Sequence, residues 1–123
     1  MNANSYMLLN KTNNRKIIER IRLADSYWKK LKGLMFSGKH DYALIFDFGG
    51  ESRIKASIHM LFVFHSIDLV YLSEGRKVVD LVEGIRPFTL NYTPKKNARY
   101  LIELPEGTIK KNRIKLGDEV DWR

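Results

Sequence analysis

The stretch SIDLVYLSEGRKVVDLVEGI, residues 66–85, predicts a β-hairpin. Two runs rich in β-branched and aliphatic residues, SIDLVYL and KVVDLVEGI, flank SEGR, a turn that contains glycine. Further short apolar runs, separated by turn signals, lie at residues 42–48, 55–64 and 98–104. Seven or more short strands with one clear helix favour a mainly β domain, either an antiparallel β-sandwich or a partly closed, jelly-roll-like barrel.

The N-terminal half carries its own turn and helix signals. Residues 6–23 predict a strand, a polar turn and a second strand over 17–23, because Asn13-Asn14 tolerates the left-handed conformations that a hairpin needs. Residues 24–36, ADSYWKKLKGLMF, have apolar residues at a spacing of three to four and Asp25 as a plausible N-cap. They predict the one short helix, with Gly33 as its C-terminal stop, and we expect it to cover an open end or edge of the sheets.

Three further connections have simple interpretations. Gly49-Gly50 lacks the strand-to-helix context of a phosphate-binding loop and predicts a tight turn. The strand at residues 98–104 ends at Pro105, because proline cannot donate a hydrogen bond to a sheet. Residues 106–118 predict a short helical turn followed by a loop, and residues 119–122 predict a final strand.

Composition indicates a single domain, spanning residues 1–123. A chain of 14.4 kDa that is 44% hydrophobic can form one core without covalent cross-links. The lack of cysteine excludes disulfides, thiolate metal sites and cysteine nucleophiles. The apolar part of the N-terminus is shorter than the core of a secretory signal, and no apolar run is long enough to span a bilayer. We therefore predict a cytoplasmic protein with no membrane partner.

Positive charge is concentrated in the first third of the chain. The net charge is +8, and residues 1–40 hold nine Lys or Arg against two acidic residues. Such asymmetry occurs in proteins that attract nucleic acid or another polyanion, and also in ordinary solvated surfaces. No RNA-binding signature accompanies it. The residues that would form a phosphate-binding platform are Arg20, Arg22, Lys29, Lys30 and Lys32.

Several segments, taken in order, resemble the uncharacterised family called domain of unknown function 192. They are WKKLKGLMF at 28–36, SIHMLFVFHSIDLVYL at 57–72, GRKVVDL at 75–81 and KKNARYLIELPEGTIKKNRIKLGDEVDW at 95–122. Many bacterial members of that family have Trp-Met at the position of His59-Met60. The histidine in this sequence resembles an archaeal-like branch of the family. The resemblance implies a small β-rich domain of the sandwich or jelly-roll kind, and it brings no established activity.

The second of these segments contains His59, His65 and Asp68. His59 is interpreted as a packed core residue and His65 as part of a bend between strands. Asp68 lies in a strand that we expect to be covered on both faces, where an unpaired carboxylate would be strongly destabilising. It should therefore be paired, hydrogen-bonded to backbone amides, or protonated. The arginines that would pair with it are Arg53, Arg86 and Arg99.

Two classes of function remain open. The preferred prediction is a non-catalytic ligand-binding or accessory domain whose pocket lies near Met35, His59, Met60 and Asp68. The alternative is a hydrolase that uses Asp68 and His59 as acid and base. The histidine spacing matches no standard zinc pattern and no nucleophile elbow is present, so we predict no metal and no cofactor, and favour a non-enzyme. The expected partner is an unidentified ligand or protein, and nucleic acid remains open.

Overall fold

The computed structural model describes residues 7–24, 42–52, 66–86 and 92–123, which form eight strands and one short helix. This confirms a mainly β fold. In chain order the elements are β1 (Leu8–Asn10), β2 (Arg15–Ile18), β3 (Ile21–Ala24), β4 (Ala43–Ser52), β5 (Ile67–Leu72), β6 (Val78–Ile85), β7 (Ala98–Pro105), α1 (Thr108–Lys111) and β8 (Val120–Trp122).

The described strands form two sheets rather than a closed barrel. The smaller sheet has the order β2-β1-β8, and the larger has the order β3-β4-β7-β5-β6. The hairpin predicted over residues 66–85 is confirmed as the antiparallel pair β5 and β6. Its turn is closed by the Ser73 N–H, which donates to the Lys77 carbonyl at 2.8 Å, and by the Arg76 N–H, which donates to the Ser73 carbonyl at 2.9 Å.

The two faces of the larger sheet belong to different cores. On the first face, alternate residues of β5 such as Val70 and Leu72 pack with residues of the smaller sheet and with Ile109 of α1. On the second face, Tyr71 and Leu69 pack with residues of β4, β6 and β7. Because β5 is paired on both edges and covered on both faces, all six of its residues are buried, as the sequence predicted.

The structure differs from the predictions at the second strand, in the direction of one strand pair, and at Gly49-Gly50. Residues 17–23 do not form one strand, because the chain passes from the smaller sheet to the larger between β2 and β3. The new strand β3 runs parallel to β4, whereas the predicted sandwich was antiparallel. Gly49-Gly50 is not a tight turn but lies inside β4, where Gly49 has a φ of 80° and the register with β7 shifts between Asp47 and Ser52.

The helix predicted between Asp25 and Gly33 lies outside the described residues. The short helical turn predicted within residues 106–118 is confirmed as α1. The left-handed conformation expected at Asn13-Asn14 occurs at Asn14, whose φ is 59°.

Gly84 occupies an irregular position in β6 that only glycine fits well. Its φ is 61°, and the register of β6 against β5 shifts between Ile67 and Leu69. A Cβ at this position would lie 2.8 Å from Oε2 of Glu106. We expect Gly84→Ala to lower the free energy of unfolding by about 1–2 kcal/mol, since left-handed backbone is unfavourable for residues with a Cβ.

Urea denaturation measures this loss, with Gly75→Ala as the matched control. Gly75 has room for a Cβ, with Ser73 Oγ at 3.9 Å as the nearest neighbouring atom, so its substitution should change stability little. Equal losses in the two variants would contradict a special requirement at Gly84.

Candidate functional site

A buried aspartate joins three segments of the chain. Asp68, on β5, is completely buried, and its Oδ1 accepts a hydrogen bond from the N–H of Gly84 on β6 at 2.8 Å. Its Oδ2 accepts hydrogen bonds from the N–H of Gly107 at 3.1 Å and from the N–H of Ile109 at 2.9 Å. Amide bonds to a carboxylate are stronger than those between neutral groups. One side chain therefore ties the central strand to the irregular part of β6 and to the start of α1.

The helix α1 depends on Asp68 because it has no cap of its own. The residue at its N-cap position is Gly107, which makes no side-chain cap, and the first turn contains no acidic residue. The first amides of a helix have no partner within the helix and carry a partial positive charge. From the neighbouring sheet, Asp68 accepts hydrogen bonds from the N–H groups of Gly107 and Ile109 and so acts as an N-cap supplied by another part of the chain.

The structure accounts for the partner that Asp68 was predicted to need. Of the three alternatives, the one observed is hydrogen bonding to backbone amides, and Arg99 pairs instead with Asp47, its Nε lying 3.0 Å from Oδ1. Arg53 lies outside the described residues. The ligand-binding role assigned to Asp68 remains a prediction. The other residues of the predicted pocket, Met35, His59 and Met60, and the bend residue His65 also lie outside the described residues.

A second buried acid lies on the opposite face of the same sheet. Glu103, on β7, is paired in register with Leu44 on β4 and with Leu69 on β5, and only 5% of it is exposed. Among the residues that the structure describes, its Oε1 has no hydrogen-bond partner. Burial in these surroundings raises the pKa of Glu103 to about 8. At neutral pH this carboxyl is therefore mostly protonated and can donate a hydrogen bond.

Two tyrosines and another acid accompany Glu103 and define what we call the acid–tyrosine cluster: Tyr71, Asp80, Tyr92 and Glu103. The rings of Tyr71 and Tyr92 stack with centroids 6.0 Å apart. The hydroxyl of Tyr92 donates to Oδ2 of Asp80 at 2.5 Å. Burial and then the charge of Glu103 raise the pKa of Tyr71, and burial followed by the bond to Asp80 raises the pKa of Tyr92. Both tyrosines therefore keep their protons at neutral pH.

Asp80 differs from Glu103 because its oxygens are occupied. In addition to the Tyr92 hydroxyl, it accepts hydrogen bonds from the N–H of Leu81 at 2.9 Å and the N–H of Lys95 at 3.1 Å. Asp80 thus holds the Tyr92 hydroxyl in place, whereas Glu103 can still form a further hydrogen bond. In the described part of the chain, no group of three or more histidines and acids could hold a metal ion.

The predicted polyanion-binding residues fall into two groups. Arg20 and Arg22 are exposed, and the Arg22 guanidinium lies 4.5 Å from the ring centroid of Tyr42. The remaining three, Lys29, Lys30 and Lys32, lie outside the described residues. Whether the five share one surface therefore stays a prediction.

Comparison with known proteins places the chain in a family. The family model DUF192, described as Uncharacterized ACR, matches residues 8–122. The chain belongs to this family. The resemblance noted in the sequence is thereby confirmed, and so is the absence of an assigned activity, because DUF192 is described only as uncharacterised.

The similar curated proteins are archaeal. The UPF0127 protein of Thermococcus sibiricus is 43% identical over 116 residues, which cover 94% of this chain and 74% of that protein. The UPF0127 protein of Pyrococcus furiosus is 39% identical over 115 residues, which cover 94% of this chain and 97% of that protein. The archaeal-like branch of DUF192 predicted from His59-Met60 agrees with these relatives.

Two solved structures share the fold. A protein from Sinorhizobium meliloti 1021 proposed to be a transcription regulator superimposes with a TM-score of 0.82 at 20% identity, covering 95% of this chain and 91% of that one. A protein of unknown function from Novosphingobium aromaticivorans DSM 12444 gives a TM-score of 0.78 at 21% identity, covering 95% and 83%. At these identities the likeness establishes the DUF192 fold alone.

Within the described ranges, the structure contains no helix that is both long and apolar enough to cross a membrane.

Asp68→Asn tests the structural role of the buried carboxylate. An asparagine retains one oxygen but presents an NH2 group to at least one of the three amides, so a buried N–H loses its acceptor. We expect a loss of about 3 kcal/mol in the free energy of unfolding, measured by chemical denaturation. The control Asp47→Asn, at an exposed ion pair with Arg99, should lose no more than about 1 kcal/mol. A stable Asp68→Asn protein would contradict this role.

Glu103→Gln tests the raised pKa of the second acid. Between its usual pKa of 4.5 and its folded pKa of about 8, Glu103 binds a proton in the folded state but not in the unfolded state. Wild-type stability should therefore fall with rising pH across this window by about 1.4 kcal/mol per pH unit from this group, whereas the glutamine of the variant does not titrate.

The difference in free energy of unfolding, Glu103→Gln minus wild type, should accordingly rise from pH 4.5 to pH 8 and then level off. The exposed Glu83→Gln substitution on β6 is the control and should give a difference that varies little with pH. A flat profile for Glu103→Gln would mean that Glu103 titrates normally.

Proposed function

We propose that this domain is a non-catalytic binding domain, and that a small ligand with a hydrogen-bonding group docks at the acid–tyrosine cluster against Glu103. The observation that carries the proposal is the Oε1 atom of Glu103, which is buried and has no hydrogen-bond partner among the described residues. A buried polar atom left in this state destabilises a protein by about 1–3 kcal/mol. A ligand that bonds to it would offset that cost.

The chemistry of the cluster favours a compact, mainly apolar ligand with one polar group. Leu44 and Leu69 flank Glu103 in register, and Tyr71 and Tyr92 add aromatic surface on the same face. Tyr92 is only half-buried, so we place the entrance beside its ring. Pockets of this kind use apolar walls for affinity and a few polar atoms for orientation.

Binding is preferred to catalysis because the hydrogen bonds of Asp68 do not suit an acid or base in a reaction. The hydrolase alternative assigns proton transfer to Asp68, yet both oxygens of Asp68 already accept bonds from backbone amides. Asp68 serves as a structural support in this proposal. The other residues of the pocket predicted from the sequence, Met35, His59 and Met60, lie outside the described residues, and their contact with a ligand stays a prediction. The cytoplasmic location predicted from the sequence is part of the proposal.

A thermal-shift screen with small primary amines, amides and alcohols tests the proposal at pH 7 and pH 9. A compound present at 100 times its Kd adds about 2.7 kcal/mol to the stability of the protein that binds it, which raises Tm by several degrees. We expect at least one compound to stabilise wild type and Glu83→Gln equally and to leave Glu103→Leu unchanged, because leucine removes the hydrogen-bonding group that glutamine would retain. An amine should bind more tightly at pH 9, because Glu103 is then ionised.

Two results would count against this function. The first is a screen in which no compound of these three classes stabilises wild type. The second is a compound that stabilises Glu103→Leu as much as wild type, since its binding would then not use the carboxyl of Glu103.

A further inference from the structure

A second surface, formed by the end of α1 and the loop after it, has a distinctive charge. Residues 108–117, TIKKNRIKLG, contain four cationic residues and no acid. All four side chains are exposed: Lys110, Lys111, Arg113 and Lys115. We call these four residues the basic ridge.

The basic ridge combines a high density of positive charge with a lack of neutralising acids. Within the described part of the chain, none of its four side chains forms an ion pair with an acid. Some other cations do form ion pairs: Lys16 contacts Glu19 at 2.7 Å, and Lys11 contacts Glu119 at 3.3 Å. The ridge is therefore a concentrated positive surface that remains available to an external anion.

Backbone geometry holds the ridge in a fixed shape next to the N-terminal hairpin. Arg113 has a φ of 54°, an uncommon conformation for a residue other than glycine, and follows the C-cap residue Asn112 directly. The Nδ2 atom of Asn13, in the turn between β1 and β2, donates to the Asn112 carbonyl at 3.3 Å. This contact ties the turn before β2 to the residue that ends α1.

We propose that the basic ridge binds the phosphate backbone of double-stranded nucleic acid without reading its sequence. Unpaired, exposed Lys and Arg gain affinity by releasing counterions from phosphates, and the net charge of +8 adds long-range attraction. A membrane fits less well, because the one large apolar side chain exposed on the ridge loop is Leu116, and a single leucine is a weak anchor. This surface is separate from the acid–tyrosine cluster, and its role does not depend on the proposed function.

Fluorescence anisotropy with a labelled 20-base-pair DNA duplex tests this inference, at salt concentrations from 50 to 200 mM. For about four phosphate contacts, the affinity of wild type should fall roughly 100-fold over this range. The variant Lys110→Gln/Lys111→Gln should bind more weakly at 50 mM salt and lose affinity only about 10-fold over the same range, because two of the contacts are gone.

The matched control is Lys95→Gln/Lys96→Gln, which removes the same charge from an exposed lysine pair before β7. It should retain the affinity and salt dependence of wild type. Circular dichroism and Tm confirm that both double variants fold. The proposal would be overturned if wild type did not bind the duplex at 50 mM salt, or if both double variants bound it equally weakly. It would also be overturned if the protein bound anionic vesicles but not the duplex, and Leu116→Ser abolished the binding to vesicles.

Discussion

The fold depends on one buried carboxylate and the three amides that surround it. Asp68 lies in the central strand, and its oxygens fix the irregular stretch of β6 at Gly84 and the first turn of α1 at Gly107 and Ile109. Each of these segments departs from regular structure: the register of β6 shifts beside Gly84, and α1 is a short helix without a side-chain cap. The carboxyl group of Asp68 satisfies amides in both segments at once, which accounts for an acidic residue at a fully buried position.

The buried acids on the two faces of the larger sheet therefore differ in their hydrogen bonding. On the first face, Asp68 has both oxygens occupied and stabilises the scaffold. On the second face, Glu103 lies between apolar neighbours, has a raised pKa, and retains an oxygen without a partner among the described residues. Satisfied polar groups make a core rigid, whereas unsatisfied ones are destabilising unless something binds them. This contrast is the reason for placing the candidate site of this DUF192 domain at Glu103.

Much of the fold was predictable, because strong alternation and turn residues specify strands locally. The hairpin at residues 66–85 and the covered strand around Asp68 follow from these signals. The split between β2 and β3 was not predictable, since Ile17 and Ile21 are both buried but in different sheets, and only tertiary packing separates them. Glu103 was missed, although a glutamate within the apolar run YLIEL also needs a partner when it is buried, as Asp68 does. Its Oε1 has no hydrogen-bond partner among the described residues, and this depends on which residues of other strands surround it.

Native-state hydrogen exchange of the Gly107 and Ile109 amides tests the central role of Asp68 most directly. Amides in the first turn of a helix normally exchange readily, because they have no partner within the helix. If Asp68 holds them, both amides should exchange as slowly as those of β5, with an opening free energy close to that of global unfolding. Exchange at the rate of unprotected amides would contradict the account.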